Sequence, residues 1–153
     1  MSTIETKLAE LGVTLPDAPA PAANYVPFVQ SGNLVHVSGQ ISNGPDGLIK
    51  GRLGDTMSVE DGAKAAKTCA IALLAQLKAA CGGDIDRLVR VVKLNAFVAS
   101  APDFHDQPKV VNGASDFLVE ALGDIGRHAR SAVGVAALPL GVAVEIDAVF
   151  EIA

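Results

Sequence analysis

The stretch from Val142 to Ile152 constrains the fold more than any other. It reads Val-Ala-Val-Glu-Ile-Asp-Ala-Val-Phe-Glu-Ile. Val144, Ile146, Ala148, Phe150 and Ile152 fall on one face of an extended chain, and Ala143, Glu145, Asp147, Val149 and Glu151 on the other. Strict period-two alternation marks a half-buried strand, so a sheet with one covered face is required. Upstream, Leu138-Pro139-Leu140-Gly141 has the residues of a tight connection, since proline fixes φ and glycine accepts φ > 0. A second extended run precedes it, with its only charge, Arg130, near the start. If the two strands are adjacent, Arg130 and Glu145 approach the same end of a sheet. An arginine and a carboxylate so placed can hold a small acid and handle its protons.

The chain needs two helices to cover that sheet, and it offers them. Ser58 opens the longer one, with Asp61 as its partner three residues on. Val59, Ala63, Ala66, Ala70, Leu73, Leu74, Leu77 and Cys81 form the apolar stripe, and Gly82-Gly83 stops it. Pro108 sits in the first turn of the second helix, where a missing N–H costs little. Its stripe is Val110, Val111, Ala114, Phe117, Leu118 and Leu122, and Gly123 closes it. Between the helices, Leu88 to Ala99 is a β-branched strand. Before them, Asn24–Val29 reads as an edge strand limited by Pro27. Gly32-Asn33 turns the chain into Leu34–Ser38, and Gly39 signals a bulge or a close backbone approach. Asn43 to Asp55 is a glycine-rich loop with a short extended piece near Leu48-Ile49.

Ahead of this body, Ser2 and Glu5 have capping-box spacing and Ile4, Leu8 and Leu11 recur at helical spacing up to Gly12. Leu15 to Ala23, with Pro16, Pro19 and Pro21, cannot continue a helix and should run extended as a strap. The expected organisation is a helix and strap over residues 1–23 and one domain over 24–153. The element order is ββ-α-β-α-ββ, an α+β fold with a mixed, mostly antiparallel sheet and both main helices on one face.

Composition narrows the function. Half of the 153 residues are hydrophobic but only 4% are aromatic, so the core is aliphatic. A mean hydropathy of +0.37 without a membrane-length apolar run suggests burial between subunits, hence a homo-oligomer. A net charge of −5 argues against general nucleic-acid binding. No signal sequence is evident, and a cytoplasmic location is expected. Cys69 and Cys81 are twelve apart on one helix and read as buried, inert thiols. His36, His105 and His128 lack ligand spacing, so no metal is expected. A phosphate loop and a Gly-x-Ser-x-Gly elbow are both missing. Arg130, Glu145, Tyr25, Ser38 and Asn112 remain as candidates, each of which alone reads as ordinary surface or packing.

Asn33-Leu-Val-His-Val-Ser-Gly-Gln-Ile41, Ala129-Arg-Ser-Ala-Val-Gly-Val-Ala-Ala-Leu-Pro139 and Val144-Glu-Ile-Asp-Ala148 together resemble the RidA/YjgF family. The resemblance spans about Tyr25 to Ile152. Members include imine/enamine deaminases, and many are called endoribonuclease L-PSP or translation inhibitor. The resemblance implies a chorismate-mutase-like fold, a homotrimer whose sheets form a central barrel, and a site at each interface. It implies that Arg130 clasps a substrate carboxylate, that Glu145 positions a water, and that Tyr25, Ser38, Gly39, Asn112 and the backbone at Ala132 line the pocket. No cofactor is implied. The expected reaction is hydrolysis of 2-imino or 2-enamino acids to 2-oxo acids and ammonia. A non-catalytic binder of small carboxylates and a ribonuclease or translation inhibitor are the other readings. The sequence departs from the family at Ala132, where a cysteine is usual, and at His128, where a proline commonly stands. The leader helix and the longer Asn43–Asp55 loop are additions relative to short members.

Overall fold

The computed structural model describes residues 2–20 and 23–153. Helix α1 spans Thr3–Glu10, and β1 (Phe28–Ser31) and β2 (Leu34–Ile41) form a hairpin. A small hairpin, β3 (Asn43–Gly44) and β4 (Gly47–Leu48), follows. Then come α2 (Val59–Ala80), β5 (Leu88–Ala99), α3 (Gln107–Leu122), β6 (Ala129–Val135) and β7 (Val144–Ile152). The five-stranded sheet has the order β1-β2-β7-β5-β6, antiparallel throughout except for the parallel β5–β6 pair. This is the mixed α+β arrangement expected.

Strand β7 lies at the centre of the sheet, and its burial alternates along its whole length. Val144, Ile146, Ala148, Phe150 and Ile152 are all buried. They meet Ala66, Cys69, Ala70, Leu73, Leu74 and Leu77 of α2 within one aliphatic core. The two helices approach closely because Gly113 of α3 has no side chain; a Cβ there would run into the Ala63 carbonyl of α2. Ser58 caps α2, its Oγ accepting the Asp61 N–H at 3.1 Å. Cys69 and Cys81 are buried and unbridged, and burial raises the Cys69 thiol far above its ordinary value, as a packing role requires.

Several local expectations are corrected. The first strand begins at Phe28, later than Asn24, and Tyr25 and Val26 lie in an exposed bend. Pro27 is therefore outside the ladder, its carbonyl accepting the Ser38 N–H at 2.8 Å. The Asn43–Asp55 segment holds the β3–β4 hairpin, turned at Pro45-Asp46, with Gly47 entering β4 at φ +105°. The capping box at α1 is half formed: Ser2 Oγ accepts the Glu5 N–H, while Glu5 pairs with Lys78. The Thr3 and Ile4 N–H groups of the first turn donate to the Asp86 carboxylate, at 2.8 and 3.0 Å. These bonds hold the Asp86 carboxyl below its ordinary range.

The largest correction concerns the two C-terminal strands, which are not neighbours. Strand β5 runs between them, because the β6-to-β7 connection passes over the sheet end rather than closing a hairpin. Arg130 is level with Leu94, and Glu145 with Phe97. Leu94 and Phe97 are three apart on a strand, so they point to opposite faces. Arg130 therefore lies on the helix side at the sheet edge and Glu145 on the open side, offset by roughly 10 Å along the strands.

The open side carries Val29, His36, Val149, Lys93, Asn95, Asp147, Phe97 and Val133 in register. Val29 and Val133 are exposed there. Among the described residues, no helix is long and apolar enough to cross a membrane.

Candidate functional site

The expected site residues form two groups. Tyr25, Ser38, Gly39 and Glu145 line one cavity of about 860 Å³. Arg130, Asn112 and Ala132 lie elsewhere, where β6 meets α3.

The first group depends on an irregularity in β2. Its pairing with β7 shifts register between Val37 and Gln40, and Gly39 lies in that bulge. A Cβ on residue 39 would coincide with the Glu145 carboxylate. The close approach expected of Gly39 is thus to the Glu145 side chain. Ser38 fixes the adjoining bend, its Oγ donating to the Val26 carbonyl at 2.9 Å. That bend carries Tyr25, half exposed at the mouth. Burial, with the like charge of Asp147 second, raises the Glu145 carboxyl above its ordinary range. Asp147 is itself held by Asn95, whose Nδ2 donates at 2.8 Å. A carboxylate so destabilised is a better proton acceptor than one in water.

The cavity is walled by the extended segment after α1, by the outer face of α2, and by the turn at Pro139-Leu140. Leu140 has φ +60°, ψ +12°, a left-handed conformation uncommon for a branched apolar residue, and is largely exposed at the lip. Such strain concentrates at ligand-contacting segments.

The second group is built on one helix face. Arg130 Nη1 donates to Ser115 Oγ at 3.0 Å, and Nη2 to the Pro108 carbonyl at 3.3 Å. Asn112 lies between Pro108 and Ser115 at helical spacing and shares that face, exposed to solvent. Ala132 is two residues beyond Arg130 on the same side of β6 and packs against the core. Sequence reasoning missed Ser115 and the role of His128. His128 Nδ1 lies 2.6 Å from the Gly126 carbonyl and Nε2 2.9 Å from Ser115 Oγ. A carbonyl can only accept, so Nδ1 bears the proton and Nε2 accepts the Ser115 hydroxyl. Ser115 in turn accepts from Arg130, so every proton in the chain is assigned. Burial first, then the Arg130 charge, push the His128 imidazole below its ordinary value, while the Gly126 bond acts the other way. The lowered proton affinity favours this neutral tautomer. The i, i+3 spacing of Asn112 and Ser115 on a helix that must face β6 was the only available sequence signal.

Among the described residues, no group of three or more His, Cys, Asp or Glu side chains could hold a metal ion. What the two groups offer is a planar cationic fork on one side and a proton-accepting carboxylate in an apolar cavity on the other.

Comparison with known proteins places this architecture. The sequence model of the family described as endoribonuclease L-PSP matches residues 15–152. Protein TCP17 of Trypanosoma cruzi is 50% identical over 151 residues, covering 97% of this chain and 94% of the relative. The crystal structure of Atu1372 from Agrobacterium tumefaciens, a protein of unknown function, superposes with a TM-score of 0.90 at 50% identity, covering 98% and 94%. The 2-iminobutanoate/2-iminopropanoate deaminase of Dermatophagoides farinae is 31% identical over 137 residues, 90% of this chain and 92% of that protein. The match runs through both residue groups, from the bend at Tyr25 to the end of β7, and the chain belongs to the endoribonuclease L-PSP family, the RidA/YjgF family its sequence resembles.

Proposed function

We propose that this protein is a deaminase that hydrolyses reactive 2-imino and 2-enamino acids to 2-oxo acids and ammonia. The observation that carries the reading is Glu145, held with a raised proton affinity in an apolar cavity beside the Gly39 bulge. Retention of Arg130 with a full set of positioning partners supports it, as does similarity to a named deaminase.

The two residue groups do not converge within one chain, so the reading includes assembly. Arg130 of one copy completes the cavity of another in a homotrimer whose open sheet faces pack together. The exposed Val29 and Val133 on that face, and the unpaired outer edges of β1 and β6, are the features that favour it. The chorismate-mutase-like label, with its central barrel, belongs to the same proposal.

In the reaction, Arg130 pairs bidentately with the substrate carboxylate. Glu145 accepts a proton from water as its oxygen bonds to C2 and the C=N π electrons move to nitrogen. That proton passes to nitrogen to give a carbinolamine, and the carbinolamine hydroxyl proton then moves to nitrogen through Glu145 as the C–N bond breaks and C2=O forms, so that ammonia leaves a 2-oxo acid. Imines hydrolyse readily, so orientation and one proton-handling group suffice. The Ala132 position offers a backbone N–H but no thiol.

The test follows ammonia and 2-oxo acid release from imines generated in situ by an amino-acid oxidase. Wild type runs beside Arg130→Ala and Glu145→Gln. The expected result is acceleration by wild type only. Saturable binding of 2-oxo acids without turnover would move the assignment to a carboxylate-binding protein. RNA cleavage lost in Glu145→Gln would move it to the ribonuclease reading, which the net charge of −5 disfavours.

A further inference from the structure

The cavity beside Glu145 is far larger than a three-carbon imino acid needs. At about 860 Å³ it lies in the range that takes drug-sized ligands. Its excess volume comes from the segment after α1. Val13, Pro16 and Pro19 form one wall, Ile71 and Ala72 of α2 the facing one, and Leu140 the lip. That wall is built in. Val13 packs against the core, and buried Gln76 of α2 donates Nε2 to the Pro19 carbonyl at 2.7 Å. Further back, the Asp86 carboxylate holds the start of α1. Lysine, arginine and histidine are missing from the described lining, whereas Asp17 and Glu145 are both present.

We infer that the leader segment is a specificity element, and that this cavity selects substrates with a long, uncharged apolar side chain. The inference rests on the deaminase reading for the identity of the reacting group. The apolar walls reward each methylene taken from water, about threefold to fourfold per methylene when fully buried. A side-chain carboxylate would lie near Glu145 and find no cation beyond the Arg130 already pairing the 2-carboxylate, so imines of dicarboxylic amino acids are disfavoured. Positive charge on the side chain gains little, because Asp17 is exposed on the outer wall.

The experiment measures kcat/KM for imines generated from alanine, norvaline, norleucine and glutamate, and binding of 2-oxopropanoate and 2-oxohexanoate by calorimetry. The expected profile rises roughly thirty- to sixtyfold from alanine to norleucine, three methylenes apart, with glutamate below alanine. Thr14→Trp narrows the cavity from an exposed position, and Ala72→Leu narrows it from the helix. Either should lower the norleucine-to-alanine ratio severalfold. A flat or falling profile in an active enzyme, or a ratio unmoved by both variants, overturns the inference and leaves the deaminase reading intact. If no imine is turned over, but 2-oxohexanoate binds tenfold tighter than 2-oxopropanoate and Thr14→Trp abolishes the difference, the deaminase reading fails and the apolar pocket stands. Equal or absent binding of the two then overturns the pocket as well.

Discussion

His128 Nε2 lies 2.9 Å from Ser115 Oγ, and the same oxygen accepts from Arg130 Nη1 at 3.0 Å. The imidazole therefore orients the guanidinium through a single hydroxyl, which in the neutral form donates to Nε2 while accepting from Arg130. Its proton affinity is lowered by burial and by Arg130. The associated stability is complete above the ordinary histidine value of about 6.5 and is lost as pH falls through the lowered native value. Protonation turns Nε2 into a donor, Ser115 loses its acceptor, and a second positive charge faces Arg130. The prediction is a rise in KM as pH falls through that lowered value, with a smaller change in kcat. In Ser115→Ala the high KM should appear at all pH values and that pH dependence should vanish.

Glu145 gives the opposite sign. Its carboxyl is raised by burial and by Asp147, so stability tied to it is present below the ordinary value near 4.3 and is lost as pH rises through the raised native value. Activity needs the ionised form, so the acidic limb of kcat should lie above the usual glutamate range. Asp147→Asn removes the like charge and should move that limb to lower pH. Glu145→Gln should cost on the order of 10²–10⁴ in kcat.

Gly39→Ala tests the bulge. The added methyl claims the space held by the Glu145 carboxylate. Displacing a proton-handling group by about an ångström costs on the order of 100-fold. The expected outcome is that loss in kcat/KM with an unchanged circular dichroism spectrum.

Gly113→Leu tests the helix contact. A side chain gains about 1 kcal/mol over glycine in helix propensity. Against that stands overlap with the Ala63 backbone, which cannot move aside as a side chain end could. Overpacking costs typically 1–3 kcal/mol or more. The net expectation is a Tm lower by several degrees, on the scale of about 2–4 °C per kcal/mol for a chain of this size.

The sheet and both main helices were legible because their signals are redundant. Val144 to Ile152 alternates without a break, Ser58 and Gly82 bracket α2, and Pro108 and Gly123 bracket α3. Strand order was not legible. Nothing in Arg130 or Glu145 records that β5 lies between them, since pairing partners depend on how the helices cover the sheet. Tyr25, Ser38, Gly39 and Glu145 were found together and do share a cavity. Ser115 and His128 stayed hidden because hydroxyls on helices and lone histidines are common, and only geometry joins them to Arg130. The start of β1 was misjudged because apolar Val26 and Phe28 flank Pro27, and apolar character alone does not distinguish a bend from a strand end.

The placement of Arg130 and Glu145 on opposite faces of one sheet has a genetic consequence. If each working centre draws its cation from one copy and its carboxylate from another, the two lesions are not equivalent to a double loss. Cells carrying Arg130→Ala on one gene copy and Glu145→Gln on another would assemble some centres with both side chains intact. Two alleles that are each null would then complement, whereas an allele bearing both changes would be rescued by neither.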